Sequence, residues 1–384
     1  MKTMNLDNNP KRVALIAPQH NSLLNFRGDL IQRLLESGFE VYTLAPEYPE
    51  DFEKKLWDKG AKTLTYRVNR KSLNPFGDVI TALDLFKVIK KNKIDLIIPY
   101  TIKPVIYGSI AANWAGVPVV SMITGLGLTF SKTSQKAKIL EVFSKSLYKY
   151  ALRKNKTIVF QNPDDLSLFL EKKIILHKER TLIVNGSGVN LNRFAFRSNR
   201  KERSNIKFVF MARLIREKGI ELFINGAREL KKQYPEAEFH VLGSGSSATS
   251  KKFIETLTDL TEKKIMHYHG FTSNVPDFLA SCDVFVLPTY YREGIPRSIL
   301  ESLSVGLPII TTDMPGCRET ILENKNGILI PPRNQERLTE AMKYFLEHPE
   351  QVEIMGLESR KMAETKFDVD LINNRLLETV NACF

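Results

Sequence analysis

Residues 283–306 read DVFVLPTYYREGIPRSILESLSVG, and this stretch decides how the rest of the chain is read. The apolar run DVFVLP is strand-length and ends in a loop that carries Glu293 and Gly294. Ile295 and Pro296 follow, with Pro296 where the first helical turn should begin, a position that tolerates proline because its missing N–H has no intrahelical partner. Strand, polar loop and helix in this order make a βα unit. Its helix start aims backbone N–H groups and the positive end of the helix dipole at an anion. Glu293 stands in the loop and Glu301 about one turn inside the helix. Two carboxylates beside a phosphate site repel the phosphate unless each has its own hydroxyl donors, which a sugar and a ribose would provide.

Working outward, the alternation of apolar strand-length runs with helical periodicity extends over the whole chain. In the second half it gives strands at 208–211, 239–242, 284–287, 309–311 and 328–330. In the first half it gives strands at 13–17, 40–44, 63–66, 94–99, 117–123, 157–160 and 181–184. Residues 28–36 place Leu30, Ile31, Leu34 and Leu35 on one helical face, with Gly38 as the stop. The stretch 192–205, rich in Arg, Asn and Ser, reads as the linker. The expected fold is α/β: two Rossmann-like, doubly wound domains facing across a cleft, with ligands at the C-terminal ends of the strands. The expected domains are 1–190 and 191–365, with a C-terminal helix at 366–384 free to pack back on the first.

A second element, MARLIREKG at 211–219, follows the first strand of the second half and presents Arg213, Arg216 and Lys218 at a strand's C-terminal edge. Arginine offers phosphate oxygens a bidentate fork and lysine a compact point charge. The two elements end on the same edge of one sheet, so they can converge on one diphosphate. GSGS at 243–246 reads as a strand-to-helix turn bordering the nucleotide, with Gly243 at the strand end.

Composition narrows the classes further. The 384 residues are too many for one ordinary core. Hydrophobic residues at 43% and charged residues at 26% describe a globular chain, not a disordered one. No apolar run reaches the roughly 18–20 residues of a spanning helix, and MKTMNLDNNPKR has no apolar core of an export signal. Three widely spaced cysteines fit a reducing cytoplasm better than a disulfide framework. The formal charge of +13 is lopsided: residues 1–190 carry 29 Lys/Arg against 17 Asp/Glu, and residues 191–384 carry 27 against 26. Much of the excess lies in 132–156, where Lys138, Lys145, Lys149, Arg153 and Lys156 share one helical face and Leu140, Phe143, Leu147 and Ala151 the opposite one. The apolar face packs the helix on its own domain. The basic face is expected to meet an anionic inner-leaflet membrane surface, worth about 1 kcal/mol per cation. The expected location is cytoplasmic and peripheral on the inner face of the cell membrane.

These motifs carry a resemblance. ARLIREKG, the Glu293–Glu301 pair, NGSGVNLNRF at 185–194 and HYHGF at 267–271 together resemble the retaining GT-B glycosyltransferases of family 4. The resemblance implies diphosphate binding and catalysis by Arg213 and Lys218 and a donor-sugar contact by Glu293. It implies ribose contact by Glu301 and donor contacts from Gly294, Ile295, Pro296, Gly243 and Phe271. ITGLGLTF at 123–130 and the long match through PGCRE are similar to enzymes that extend undecaprenyl-diphosphate-linked sugars, the bacillosaminyl-lipid N-acetylgalactosaminyltransferases and their O-antigen and capsule relatives. The implied reaction moves a hexose or N-acetylhexosamine from a UDP-sugar to a lipid-diphosphate-linked sugar, with no metal and no other cofactor.

The chain also departs from the family. Where many members carry a Gly-Gly loop after the first strand, it reads APQHNSLLNFRG, leaving Asn25 and Arg27 as phosphate contacts. Where many place a histidine after a later strand, Thr124 and Gly125 stand. The competing readings are another GT-B enzyme (a sugar-nucleotide epimerase or phosphorylase), a basic nucleic-acid-binding module and a non-catalytic binding protein. No RNP-type aromatic motif or zinc-finger spacing accompanies the basic helix, so no nucleic-acid partner is expected.

Overall fold

The computed structural model describes residues 9–68, 75–127, 135–197 and 205–384; the side chains of 75–76 and 135–141 lie outside that description. The chain divides into two compact units, Met1–Val184 with Asn373–Phe384, and Asn185–Ile372.

The first unit runs β1 (Arg12–Ile16), α1 (His20–Glu36), β2 (Glu40–Ala45), α2 (Glu50–Asp58), β3 (Lys62–Thr65), α3 (Pro75–Lys91), β4 (Leu96–Pro99), a π-helical turn Pro104–Gly108 leading into α4 (Ser109–Ala115), β5 (Val120–Ile123), α5 (Gln135–Leu152), β6 (Thr157–Phe160), α6 (Pro163–Glu171) and β7 (Thr181–Ile183). Every strand pair is parallel, in the order β3-β2-β1-β4 and β5-β6-β7. Bridges Ile97↔Val119 and Tyr100↔Met122 carry the pairing from β4 to β5. Strands such as β4 and β5 are buried along their whole length, so they read as continuous apolar runs and not as alternation. The last residues of the chain pack here: Arg33 donates to Asn374 Oδ1 at 2.6 Å, and the Phe384 ring lies 5.8 Å from that of Phe39.

The second unit runs β8 (Lys207–Met211), α7 (Ile220–Gln233), β9 (Glu238–Leu242), α8 (Ala248–Glu262), β10 (His267–Gly270), α9 (Val275–Ala280), β11 (Val284–Leu287), α10 (Arg297–Val305), β12 (Ile309–Thr312), β13 (Gly327–Ile330), α11 (Gln335–Glu347), α12 (Gln351–Met362) and α13 (Val369–Asn381), whose later residues group with the first unit. Its six parallel strands take the order β10-β9-β8-β11-β12-β13, which reverses direction between β8 and β11. Stacked Phe208 and Phe239, with Phe210 and Phe223, form the centre of its core.

Three expectations change. The first helix begins at His20, not at residue 28, so Asn25 and Arg27 are helical. Its buried stripe is Leu23, Arg27, Leu30, Ile31 and Leu34; a buried arginine in that series interrupts the apolar period and hides the first two turns from a pattern search. The stretch read as a linker is anchored in the second unit as far as Arg197: Phe194 is fully buried in its core, and Arg197 donates to the Ala280 carbonyl. Residues 198–204 of it lie outside the described residues. On α5 the buried residues are Ser144, Tyr148, Ala151 and Leu152, with Tyr148 edge-on to Phe169, whereas Phe143 is exposed. The inward stripe is therefore rotated from the expected one, because Tyr148 fills the space beside Phe169.

Candidate active site

In an open parallel sheet, ligands bind outside the C-terminal strand ends where the strand order reverses. In the second unit that point lies between β8 and β11, and the two sequence elements singled out above are the loops that follow those strands. Main-chain bonds join the loops. The Glu217 carbonyl accepts from the N–H groups of Tyr290 (2.8 Å) and Tyr291 (3.1 Å) and from Thr289 Oγ1 (3.0 Å). The approach is close enough to require glycine. At Gly219, with φ of +79°, a Cβ would overlap the Pro288 carbonyl; at Gly316, with φ of +85°, it would overlap the Gly294 carbonyl.

Lys218 is buried at 8% exposure and forms an ion pair with Glu293. Arg213 is exposed, with its guanidinium 5.8 Å from the Tyr291 ring centre; the Lys218 ammonium is 5.6 Å from the same ring. Gly294, Ile295 and Pro296 are buried. Pro296 is the residue that caps α10 and not its first helical residue; its carbonyl accepts from Ile299 at 3.0 Å. Glu301 lies one turn into α10, where Arg297 Nε donates to it at 2.8 Å. Burial pushes the Glu301 carboxyl up, against the opposing charge of Arg297. Cys317 is fully buried beside this group; burial, with Glu293 adding to it, pushes its thiol up to about 12, so it is no nucleophile at neutral pH.

The structure brings Arg213, Lys218, Glu293 and the 294–296 segment together through these two loops, with Glu301 on the helix they lead into. Gly243 directly follows β9; its N–H donates to the Gly270 carbonyl at 2.8 Å and its carbonyl accepts from Tyr268 Oη at 3.0 Å. Phe271, just past β10, is 83% exposed. Residues 243–246 form the turn between β9 and α8, capped by Ser247, which accepts from the Ser250 N–H. Asp368 accepts from the Asp370 N–H at 3.0 Å, a helix-start contact. Tyr291, whose ring lies near both cations, stands in the opening stretch without a role assigned from sequence; the spatial pairing of the loops supplies one.

In the first unit, Asn25 and Arg27, expected as phosphate contacts, share α1, and Thr124 and Gly125, which stand where many family members place a histidine, share the loop after β5. Asn25 is exposed on α1, Arg27 is buried with its guanidinium 5.3 Å from the Tyr100 ring, and Thr124 and Gly125 follow β5. Of the basic face of α5, Lys149 and Arg153 are exposed, Lys145 is half-buried, and the Lys138 side chain lies outside the described residues.

Two parallel-sheet units of this kind, each Rossmann-like, are the architecture of the GT-B class. Residues 12–162 match the "Glycosyl transferase 4-like" family model and residues 192–362 the "Glycosyl transferases group 1" model, so the chain belongs to the GT-B glycosyltransferases. Over 379 residues, 96% of this chain and 97% of the relative, it is 27% identical to N,N'-diacetylbacillosaminyl-diphospho-undecaprenol alpha-1,3-N-acetylgalactosaminyltransferase of Campylobacter jejuni. It is 28% identical, over 66% of each chain, to UDP-Gal:alpha-D-GlcNAc-diphosphoundecaprenol alpha-1,3-galactosyltransferase of Escherichia coli. Among solved structures, Anabaena HepE in complex with UDP and glucose superposes with a TM-score of 0.78 over 97% of this chain and 100% of that one, at 17% identity.

Proposed function

We propose that the protein is a retaining glycosyltransferase that moves a hexose or N-acetylhexosamine from a UDP-sugar to an undecaprenyl-diphosphate-linked sugar in bacterial surface-glycan or glycoprotein-glycan assembly. The observation that carries this reading is the largely buried Lys218–Glu293 pair, with Arg213 and Lys218 near one tyrosine ring, in the loops that follow β8 and β11 and lead into α10. Transfer breaks the bond between the sugar's anomeric carbon and the diphosphate, and negative charge gathers on the departing phosphate oxygens. Arg213, Lys218 and the α10 start stabilise that charge, while Glu293 accepts from a hydroxyl of the donor sugar and Glu301 from the ribose. The exposed Phe271 offers a face for the base. In a same-face displacement the departing phosphate accepts the acceptor's proton, so no side-chain nucleophile and no metal are needed. The names of the C. jejuni and E. coli relatives support the lipid-linked acceptor.

A panel of UDP- and GDP-sugars against short polyprenyl-diphosphate-linked sugars tests this. UDP release that requires the acceptor, with retained anomeric configuration in the product, is the expected result. Acceptor-independent UDP release or phosphorolysis would point instead to the epimerase or phosphorylase alternative.

The first unit supplies the membrane-facing part of the reading. Beside α5 lies a cavity of about 540 Å³ whose lining includes Lys149, Tyr150, Arg153, Leu176 and Arg180. Arg153 stacks 4.3 Å from the Tyr150 ring, and Leu176, Val142 and Phe143 are exposed nearby in the sequence of these two segments. Cations interleaved with exposed apolar groups suit an anionic leaflet better than a polyanion in water. No helix among the described residues is long and apolar enough to cross a membrane. The protein is expected to pellet with vesicles containing phosphatidylglycerol, and a Lys149→Glu/Arg153→Glu variant to stay in the supernatant. Equal pelleting of both, or none by the parent at low salt, would remove the membrane assignment.

A further inference from the structure

The polar cluster at the outer edge of the second unit's sheet has been given no role so far. β10 is the edge strand and pairs in parallel with β9, with His267 opposite His240. Alternate residues of a strand share a face, so Glu238 and His240 point to one side of β9, and His267 and His269 to one side of β10. Ring contacts place both pairs on the same side of the sheet. The His240 and His267 rings stack with centroids 4.8 Å apart, and those of His240 and His269 lie 5.3 Å apart. Phe278, on α9, stands edge-on to His240 at 6.0 Å and to His269 at 4.7 Å, and so walls the cluster on one side.

Three of these groups can meet at one point. One ligand atom each from Glu238, His240 and His267 lies within 4.8 Å of the other two. His240 Nε2 is 3.1 Å from Glu238 Oε2. Two ligands of a tetrahedral zinc, each about 2.0–2.1 Å from the metal, stand roughly 3.3 Å apart, so this pair is close to ligand spacing. His267 is not buried, and a rotation of its side chain completes the set. His240 is buried, and its other nitrogen, Nδ1, lies 3.0 Å from His269 Nε2. That contact holds the ring with Nε2 toward Glu238, and an outer partner of this kind is what metal-bound imidazoles usually have.

We propose that Glu238, His240 and His267 bind a divalent transition-metal ion of the Zn²⁺ class, with His269 as the residue that orients His240. Two imidazoles and one carboxylate suit such an ion better than Mg²⁺ or Ca²⁺, which take oxygen ligands. Solvent reaches the cluster at the partly exposed Glu238 and the exposed His269, so water can fill the remaining coordination positions. One cation opposes the metal: the Lys207 ammonium lies 3.0 Å from Glu238 Oε2. Lys207 and the metal therefore compete for one carboxylate. A bound ion ties the edge strand to β9 beside the point where their register shifts, between Tyr268 and Gly270, and takes no part in the sugar transfer. Sequence reading took HYHGF only for the strand and turn beside the base; that His267 stands against His240 is decided by the strand pairing.

This inference goes beyond the glycosyltransferase reading and does not depend on it. The full chain, without an affinity tag and stripped of metal, is titrated with ZnCl₂ at pH 7.5 by calorimetry. The parent is expected to bind one equivalent that excess MgCl₂ does not displace. With Zn²⁺ at 100 times its Kd, the melting temperature is expected to rise by about 5 °C. His267→Gln, which removes a ligand, is expected to weaken binding by about 100-fold or more, and His269→Gln, which removes the orienting partner, by about tenfold. Lys207→Met, which removes the competing cation, is expected to tighten binding about three- to tenfold. The loss in His267→Gln counts for the site if its metal-free melting temperature stays within about 2 °C of the parent's. If that temperature falls further, Lys207→Met decides, since a gain in affinity cannot come from a loss of fold. Equal affinity in the parent, His267→Gln and Lys207→Met overturns the site and puts the zinc elsewhere. No binding by the parent overturns it too and leaves a hydrogen-bonded histidine cluster only.

Discussion

Lys218→Ala is expected to lower turnover by about 10²–10³-fold, the effect of removing one preorganised donor from a site of developing negative charge. It should also lower stability, because the largely buried Glu293 carboxylate then loses its ion pair with Lys218. Breaking a fully buried pair costs about 3–5 kcal/mol. The cost here should fall below that range, since the two side chains keep 10% and 15% of their exposure. Activity and stability can be separated. A Lys218→Met/Glu293→Gln double variant removes both charges, so it should recover much of the melting temperature and none of the activity. If instead the double variant recovers activity in step with stability, Lys218 is a structural lysine and the diphosphate assignment fails.

Arg213→Ala should give a loss of similar size in kcat/KM, about 10²-fold or more, with little change in melting temperature. The reason for the difference is exposure: Arg213 rests on Tyr291 within reach of solvent and leaves no buried ion-pair partner behind. Surface substitutions of this kind usually stay within about 0.5 kcal/mol. Arg213→Lys should recover only part of the activity, because a lysine cannot reproduce the guanidinium's two parallel bonds to phosphate oxygens. A purified Arg213→Ala enzyme with nearly full turnover would sink the proposed role.

Much of the second unit was legible in the sequence for a physical reason. Its strands are buried on both faces and so appear as short apolar blocks, and its two functional loops follow directly from strand ends. The loop at 211–219 and the loop before α10 were expected to converge because parallel strands place their C-terminal ends on one edge. The Glu217 carbonyl bonds to Tyr290 and Tyr291 show how close that convergence is. The strand at His267–Gly270 is polar and half-exposed at the sheet edge, and it was found only through its motif.

The first unit was read less well. The early start of α1 was missed because its buried stripe passes through Arg27. The inward face of α5 was misplaced because periodicity alone scores Phe143 and Tyr148 alike, and only Phe169 distinguishes them.

By itself the sequence determined the α/β class, the succession of strands and helices along most of the chain, and the cations and carboxylates available to a sugar nucleotide, because these follow from local period and from residue chemistry. Only the tertiary structure decided that Lys218 is paired with Glu293 and that Arg213 and Lys218 lie near one ring, that of Tyr291. It also decided that His267 stands against His240 and Glu238. Ion pairing, ring contact and the gathering of ligand atoms depend on which distant segments share a sheet edge, and no local pattern in the chain encodes that.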